Sequence, residues 1–229
     1  MQEKTAQKKK RLAVFDYDGT SIDGQSGLLF SLYLWHRGLV SVPRAAALVW
    51  WGVRYKLHLP QRQDEAREII FASLSGLDAE DVDKIMHEFH NEVLLPRYRP
   101  QAVAEVKRRH EEGCVTLLVS ATFEPITADA AEALGVDAHI ATDMEKDANN
   151  RYTGRVRGPV VQGYAKVAVV RRWADEHFGR GNWVLSYAYG DHHTDEELLA
   201  SAGRAYAVCP GPTLRKEAHE RGWDILDWE

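Results

Sequence analysis

The apolar run Arg11–Phe15 ends abruptly on an acidic turn, Asp16-Tyr17-Asp18-Gly19-Thr20, and no second strand-like run follows for about a hundred residues. A short run of this kind, bounded by a turn signal, reads as a buried parallel strand that delivers its last side chains into a loop. From Gln25 to about His110 apolar residues recur at helical spacing instead. Helices are predicted over 25–37, 43–57, 61–74, 79–94 and 100–112, punctuated by Gly38, Pro43, Pro60, Gly76, Pro96 and Pro100. After Gly113 strands and helices alternate. Strands are predicted at Val115–Val119, His139–Thr142, Trp183–Tyr189 and Ala205–Val208, and a hairpin or flap at Arg151–Arg157. Helices are predicted at Pro125–Leu134, Gly163–Phe178, Asp195–Ala202 and Pro212–Arg221.

Alternation of this sort belongs to an α/β fold, a doubly wound, Rossmann-like parallel sheet covered by helices on both faces. The helical block interrupts that sheet after its first strand. The expected organisation is therefore a basic flexible tail at 1–10, a catalytic core made of 11–22 and 111–229, and an inserted all-helical cap at 23–110.

Bulk properties exclude several classes. With 45% hydrophobic and 28% charged residues the chain has the balance of a soluble globular protein. Its net charge of −5 argues against nucleic-acid binding driven by positive charge. The basic run Lys8–Arg11 lies in a polar tail and reads as solvated, with contact to anionic lipid as the lesser alternative. Cys114 and Cys209 do not form a metal-spacing pair; both sit in apolar stretches and read as buried free thiols. No apolar segment long enough for a leader follows the N-terminal lysines, so a cytoplasmic location is expected. Leu28–Trp35 and Ala45–Leu59 are apolar and rich in Trp, yet both fall short of the roughly 18 uninterrupted apolar residues of a spanning helix.

In an open α/β sheet, ligands bind beyond the carboxyl ends of the strands. The first strand would carry Asp16 and Asp18 to that edge, the second Ser120 and Thr122, and the fourth Asp191 and Asp195, while Lys166 begins the helix ahead of the fourth. Clustered carboxylates are unfavourable unless a cation shares the site, and oxygen-only ligands suit Mg²⁺. A carboxylate beside a phosphoryl group can attack it to give an aspartyl-phosphate, and a second carboxylate two residues on can act as general acid and then base. Ser120 and Lys166 could hold the equatorial oxygens of the transferring group.

The segments DYDGT at 16–20, SAT at 120–122, Lys166, and GDHHTD at 190–195 resemble the four ordered motifs of haloacid dehalogenase superfamily phosphatases. The likeness runs from Arg11 to the C-terminus. The insertion point of the helical block, TGRVRGP at 153–159 and Gly163–Lys166 resemble subfamily IB, the phosphoserine-phosphatase-like branch. The resemblance implies a Mg²⁺-dependent phosphomonoester phosphatase with Asp16 as nucleophile and metal ligand. Asp18 would be general acid and base and offer its backbone carbonyl to the metal. Ser120, Ala121, Thr122 and Lys166 would bind the phosphoryl group, Asp191 would be the remaining metal ligand, and Thr20 and Asp195 would support from behind.

The chain departs from that pattern at several positions. His192 and His193 stand where small polar residues are commoner, and read as loop residues. Phosphoserine-specific members carry a Glu and an Arg where this sequence offers Gln25 and Ile70, which disfavours phosphoserine. The Trp-rich first cap helices, with Arg37, Arg44, Arg54 and Lys56 among them, resemble a lipid-phosphate-cleaving subset and suggest peripheral membrane contact; cap packing and a dimer contact are the plainer readings. The substrate expected is thus a small polar phosphate or a lipid phosphate. Phosphotransfer to another acceptor and a non-catalytic binding protein on the same scaffold are the rival functions.

Overall fold

The computed structural model describes residues 9–56 and 65–228. The tail to residue 8, and Leu57 and Leu59 of the second apolar stretch, lie outside the described residues. A seven-stranded sheet in the order β4-β3-β2-β1-β5-β6-β7 forms the centre. Its strands are β1 (Lys10–Asp16), β2 (Cys114–Phe123), β3 (Ala138–Lys146), β4 (Tyr152–Arg157), β5 (Trp183–Gly190), β6 (Arg204–Val208) and β7 (Asp224–Leu226). All neighbours are parallel except β3 and β4, which pair antiparallel.

β1 is central, and its alternation explains why. Ala13 and Phe15 enter one apolar core and Leu12 and Val14 the other, all four with no exposed surface. A strand apolar on both faces can be satisfied only between two helical layers. The first core holds the residues of α1 (Ser26–His36), α3 (Glu65–Leu74), α4 (Ala79–Phe89), α5 (Pro100–Glu111) and α6 (Glu124–Leu134). The second is covered by α7 (Tyr164–Phe178), α8 (Glu196–Ala200) and α9 (Pro212–Arg221). Because β2 and β5 flank β1 on opposite sides, the chain reverses its winding there, and a crevice opens beyond the carboxyl end of β1.

Helix ends follow local chemistry. Asp78 caps α4 by accepting the Glu80 N–H, and Val82, Met86 and Phe89 then share its buried face. Pro125 and Pro212 open α6 and α9, and Gly135 and Gly222 close them in the left-handed conformation. The single helix expected over 79–94 ends at Phe89. A wide π-type turn, His90–Leu94, takes over, so that the His90 ring meets the Tyr98 hydroxyl at 2.9 Å. The flap at 151–157 is the second arm of a hairpin whose first arm is β3, which runs four residues beyond the C-terminal end of the strand read from sequence.

Between β1 and β2 the described residues form α1, α2 (Val42–Lys56), α3, α4 and α5, with no strand among them. α5 packs against β2. Its Arg109 is buried and tied to both inner strands: Nε donates to the Tyr189 hydroxyl at 2.6 Å and Nη2 to the Tyr206 hydroxyl at 3.1 Å. Among the described residues no helix is long and apolar enough to cross a membrane. Cys114 is buried and Cys209 half-buried, and both are free thiols.

Candidate active site at the carboxyl end of β1

Asp16 is the last residue of β1 and is buried. The turn after it is folded by its own hydroxyls: Ser21 Oγ donates to the Asp16 carbonyl at 2.6 Å, and Thr20 Oγ1 lies 3.5 Å from Asp16 Oδ2. Gly19 adopts φ +75°, and a Cβ there would stand 2.0 Å from Asp191 Oδ2. The β1 turn and the end of β5 therefore touch through a position that admits no side chain. Gly19→Ala is expected to displace Asp191 and weaken divalent-cation binding at this strand end by about 10–100-fold. A calorimetric Mg²⁺ titration checks this, read against the thermal melt of the same variant.

Lys166, in the first turn of α7, extends its buried ammonium between two carboxylates. Nζ is 2.5 Å from Asp16 Oδ1 and 2.6 Å from Asp195 Oδ1. Oxygens of Asp16, Asp191 and Asp195 lie within 4.8 Å of one another. Burial, then the neighbouring charge of Asp195, pushes Asp16 up to about 7 although Lys166 pulls the other way. Burial and the charges of Asp16 and Asp195 raise Asp191 to about 9. Burial opposes the Lys166 ammonium, but the two carboxylates outweigh it and raise its pKa. One ammonium thus faces a surplus of carboxylates whose donors are oxygen only. That set fits a hard divalent cation, to which Asp16, Asp191 and Asp195 could each offer an oxygen.

Asp18 is turned away from this trio. Its Oδ1 accepts the Ser26 N–H at 2.6 Å and its Oδ2 the Ser26 hydroxyl at 2.9 Å, with Thr122 Oγ1 at 3.4 Å. The Ser26 and Thr122 hydroxyls also bond each other. Burial raises the Asp18 pKa against these hydrogen bonds. Ser26 was not legible as a site residue; the only signal is a Ser opening a helix, and here its hydroxyl serves Asp18 instead of the helix's own amides. Ser120 is buried and its Oγ accepts the Thr122 N–H at 3.0 Å, while Ala121, Thr122 and Phe123 form the wall of the cavity above. His192 lines the same cavity and accepts from the Thr194 N–H, capping the turn that carries Asp195. His193 is exposed.

The family model for haloacid dehalogenase-like hydrolases matches residues 13–200. The chain belongs to this family. The described residues of this haloacid dehalogenase-like hydrolase bring Asp16, Lys166, Asp191 and Asp195 together at one strand edge. It is 29% identical over 224 residues to a histidinol-phosphatase of Neisseria meningitidis serogroup C (strain 8013), covering 96% of this chain and 100% of that protein. It is 30% identical over 230 residues to a probable phosphatase of Mycobacterium tuberculosis (strain ATCC 25618 / H37Rv), covering 98% of this chain and 77% of the relative. A solved protein of unknown function from Bordetella pertussis Tohama I superposes with a TM-score of 0.84 at 32% identity, covering 96% of this chain and 99% of that one.

Proposed function

We propose that the protein is a Mg²⁺-dependent phosphomonoester phosphatase working through an aspartyl-phosphate on Asp16. The observation that carries this reading is the Lys166 ammonium held between Asp16 and Asp195, with the Asp191 carboxylate converging on them, at the floor of a cavity of about 540 Å³. Asp16 attacks phosphorus, the ester P–O bond breaks, and Asp18 gives its proton to the departing alcohol oxygen. Water then attacks the aspartyl-phosphate, Asp18 takes its proton, and inorganic phosphate leaves with Asp16 restored. The raised pKa of Asp18 suits the first of those roles. Lys166 and the Ser120–Thr122 segment face the phosphoryl oxygens, and Thr20 steadies Asp16. Mg²⁺, when bound, supplies the positive charge that lets Asp16 and the phosphoryl group approach each other.

Helices α1 to α4, within the 23–110 segment, are read as a cap over the site, with α5 packing back on β2. The partner is a phosphorylated small molecule or a lipid phosphate. Gln25 and Ile70, both lining the cavity, speak against phosphoserine. The full-length likeness to a histidinol-phosphatase supports a small substrate. Support for a peripheral membrane contact comes from residues 24–63, which hold no Asp or Glu in a chain of net charge −5. Trp35, Val42, Val49 and Trp50 are exposed on α1 and α2. The two free thiols favour a cytoplasmic setting.

The test is phosphate release from an aryl phosphate with Mg²⁺ and with chelator, combined with acid quenching of a radiolabelled substrate. Mg²⁺-dependent release, one phosphate per alcohol, with label trapped on Asp16 is the expected outcome. A phosphorylated acceptor in place of inorganic phosphate would make the protein a phosphotransferase. Turnover indifferent to chelator would remove the metal from the reading.

A further inference from the structure

The cavity over Asp16 has two unlike sources of side chains. β1, the turn after β5 and α7 contribute Asp16, Asp18, Asp191, Asp195 and Lys166. The helical block and the junction of β2 with α6 contribute Leu28, Leu48, Trp51, Ile70, Phe123 and Ile126. At about 540 Å³ the space is of small-molecule size and exceeds what a phosphoryl group alone would fill. The apolar members therefore face whatever the phosphate is attached to.

Charge bears on what that group can be. Among the described residues lining the cavity, Lys166 is the one lysine or arginine, and its ammonium is already held by two carboxylates. A carboxylate on the departing alcohol would enter a site rich in negative charge, and among the described residues the apolar lining itself holds no lysine or arginine to meet it. Burying such a charge unpaired is costly, and like charges brought together add to the cost. An apolar or aromatic group would instead leave water for the apolar lining that includes Leu48, Ile70 and Phe123. Phe123 is itself fixed by Phe71, with ring centroids 4.9 Å apart, and by Phe30 at 5.8 Å.

We infer that the ester cleaved here carries an alcohol with an apolar or aromatic body and no carboxylate. This rests on the phosphatase reading above and adds the class of its substrate. Two sources share that chemistry, a small aromatic alcohol phosphate and the phosphorylated end of a lipid.

Steady-state kinetics with Mg²⁺ on benzyl phosphate, on phosphatidate in anionic vesicles, and on phosphoserine tests the inference. At least one of the first two is expected to exceed phosphoserine in kcat/KM by roughly 100-fold or more, the effect of a few kcal/mol of like-charge juxtaposition. Preference for benzyl phosphate identifies a small substrate. Preference for phosphatidate, with the protein floating with the vesicles, identifies a lipid one. Phosphoserine turned over as well as either would overturn the inference and leave the phosphatase reading standing.

If none is cleaved, calorimetric titration with benzylphosphonate and with the phosphonate analogue of phosphoserine reads the same preference without turnover. Tighter benzylphosphonate binding would then keep the inference while the phosphatase reading fails; equal or weaker binding would end both. A Leu48→Arg variant, at a half-buried cavity position, is expected to narrow the benzyl-over-seryl ratio by about 10-fold. An unchanged ratio in a folded variant would show that cation content does not set the preference.

Discussion

An Asp16→Asn variant is expected to lose phosphate release by on the order of 10⁴-fold or more while keeping its fold. The loss follows from replacing the attacking oxygen by an amide that cannot form the acyl-phosphate. Retention of the fold follows from electrostatics. In the metal-free protein, burial and Asp195 raise Asp16 from 3.8 to about 7, so ionising it works against the folded state. A carboxyl raised in this way contributes stability that is complete below its unfolded value and is lost as pH rises through the folded one. Metal-free wild type should therefore melt at falling temperature as pH rises from 4 towards 8. The Asn variant lacks the Asp16 share of that slope. Thermal melts in chelator at three pH values, beside the phosphate assay, test both halves. A variant as active as wild type would reject Asp16 as nucleophile, and one that is unfolded at every pH would reject the electrostatic account.

The largest expected loss of stability lies away from the site, at Arg109. Its guanidinium donates to Glu105 at 2.5 Å and to both oxygens of Glu112 at 2.8 and 2.9 Å, in addition to the tyrosines of β5 and β6. The Tyr187 ring lies 3.7 Å from its central carbon. Removing one partner of a buried ion pair leaves the other charge uncompensated. Arg109→Met should cost about 3–5 kcal/mol, or roughly a 10 °C fall in Tm for a chain of this size. Adding Glu105→Gln to that variant should recover part of the loss, because the stranded carboxylate is then gone. Recovery without Glu105 being involved, or a fall of less than a degree, would mean that the network is decorative.

Much of this architecture was readable because its signals are local. A five-residue apolar strand stopped by DYDGT needs no tertiary partner to be recognised, and neither does Pro212 opening a helix that Gly222 closes. β7 escaped because three half-buried residues, Asp224–Leu226, at the edge of a sheet carry no periodicity. The outer half of β3 escaped for a related reason. Asp143, Glu145 and Lys146 carry no apolar run, and pairing with β4 makes this stretch a strand. Within the site the carboxylates and Lys166 could be nominated from motif order. What could not be nominated was the partner each side chain chooses: Asp18 bonded to Ser26, or Thr122 amide bonded to Ser120, depends on a turn geometry that spacing does not encode. The apolar wall shared by Leu48, Ile70 and Phe123 is assembled from three separate elements and exists only in the folded chain.

The division of the cavity has a consequence for how such a protein can change. On the proposed mechanism, the groups that act on phosphorus hang from the central strands and the start of α7. The apolar lining that would meet the rest of the substrate comes largely from helices α1, α2 and α3, which lie between β1 and β2 in the chain. Exchange of those helices could retarget the molecule to a new alcohol and leave every group that touches phosphorus in register. On that reading, substrate choice and bond chemistry would be separately heritable parts of one chain.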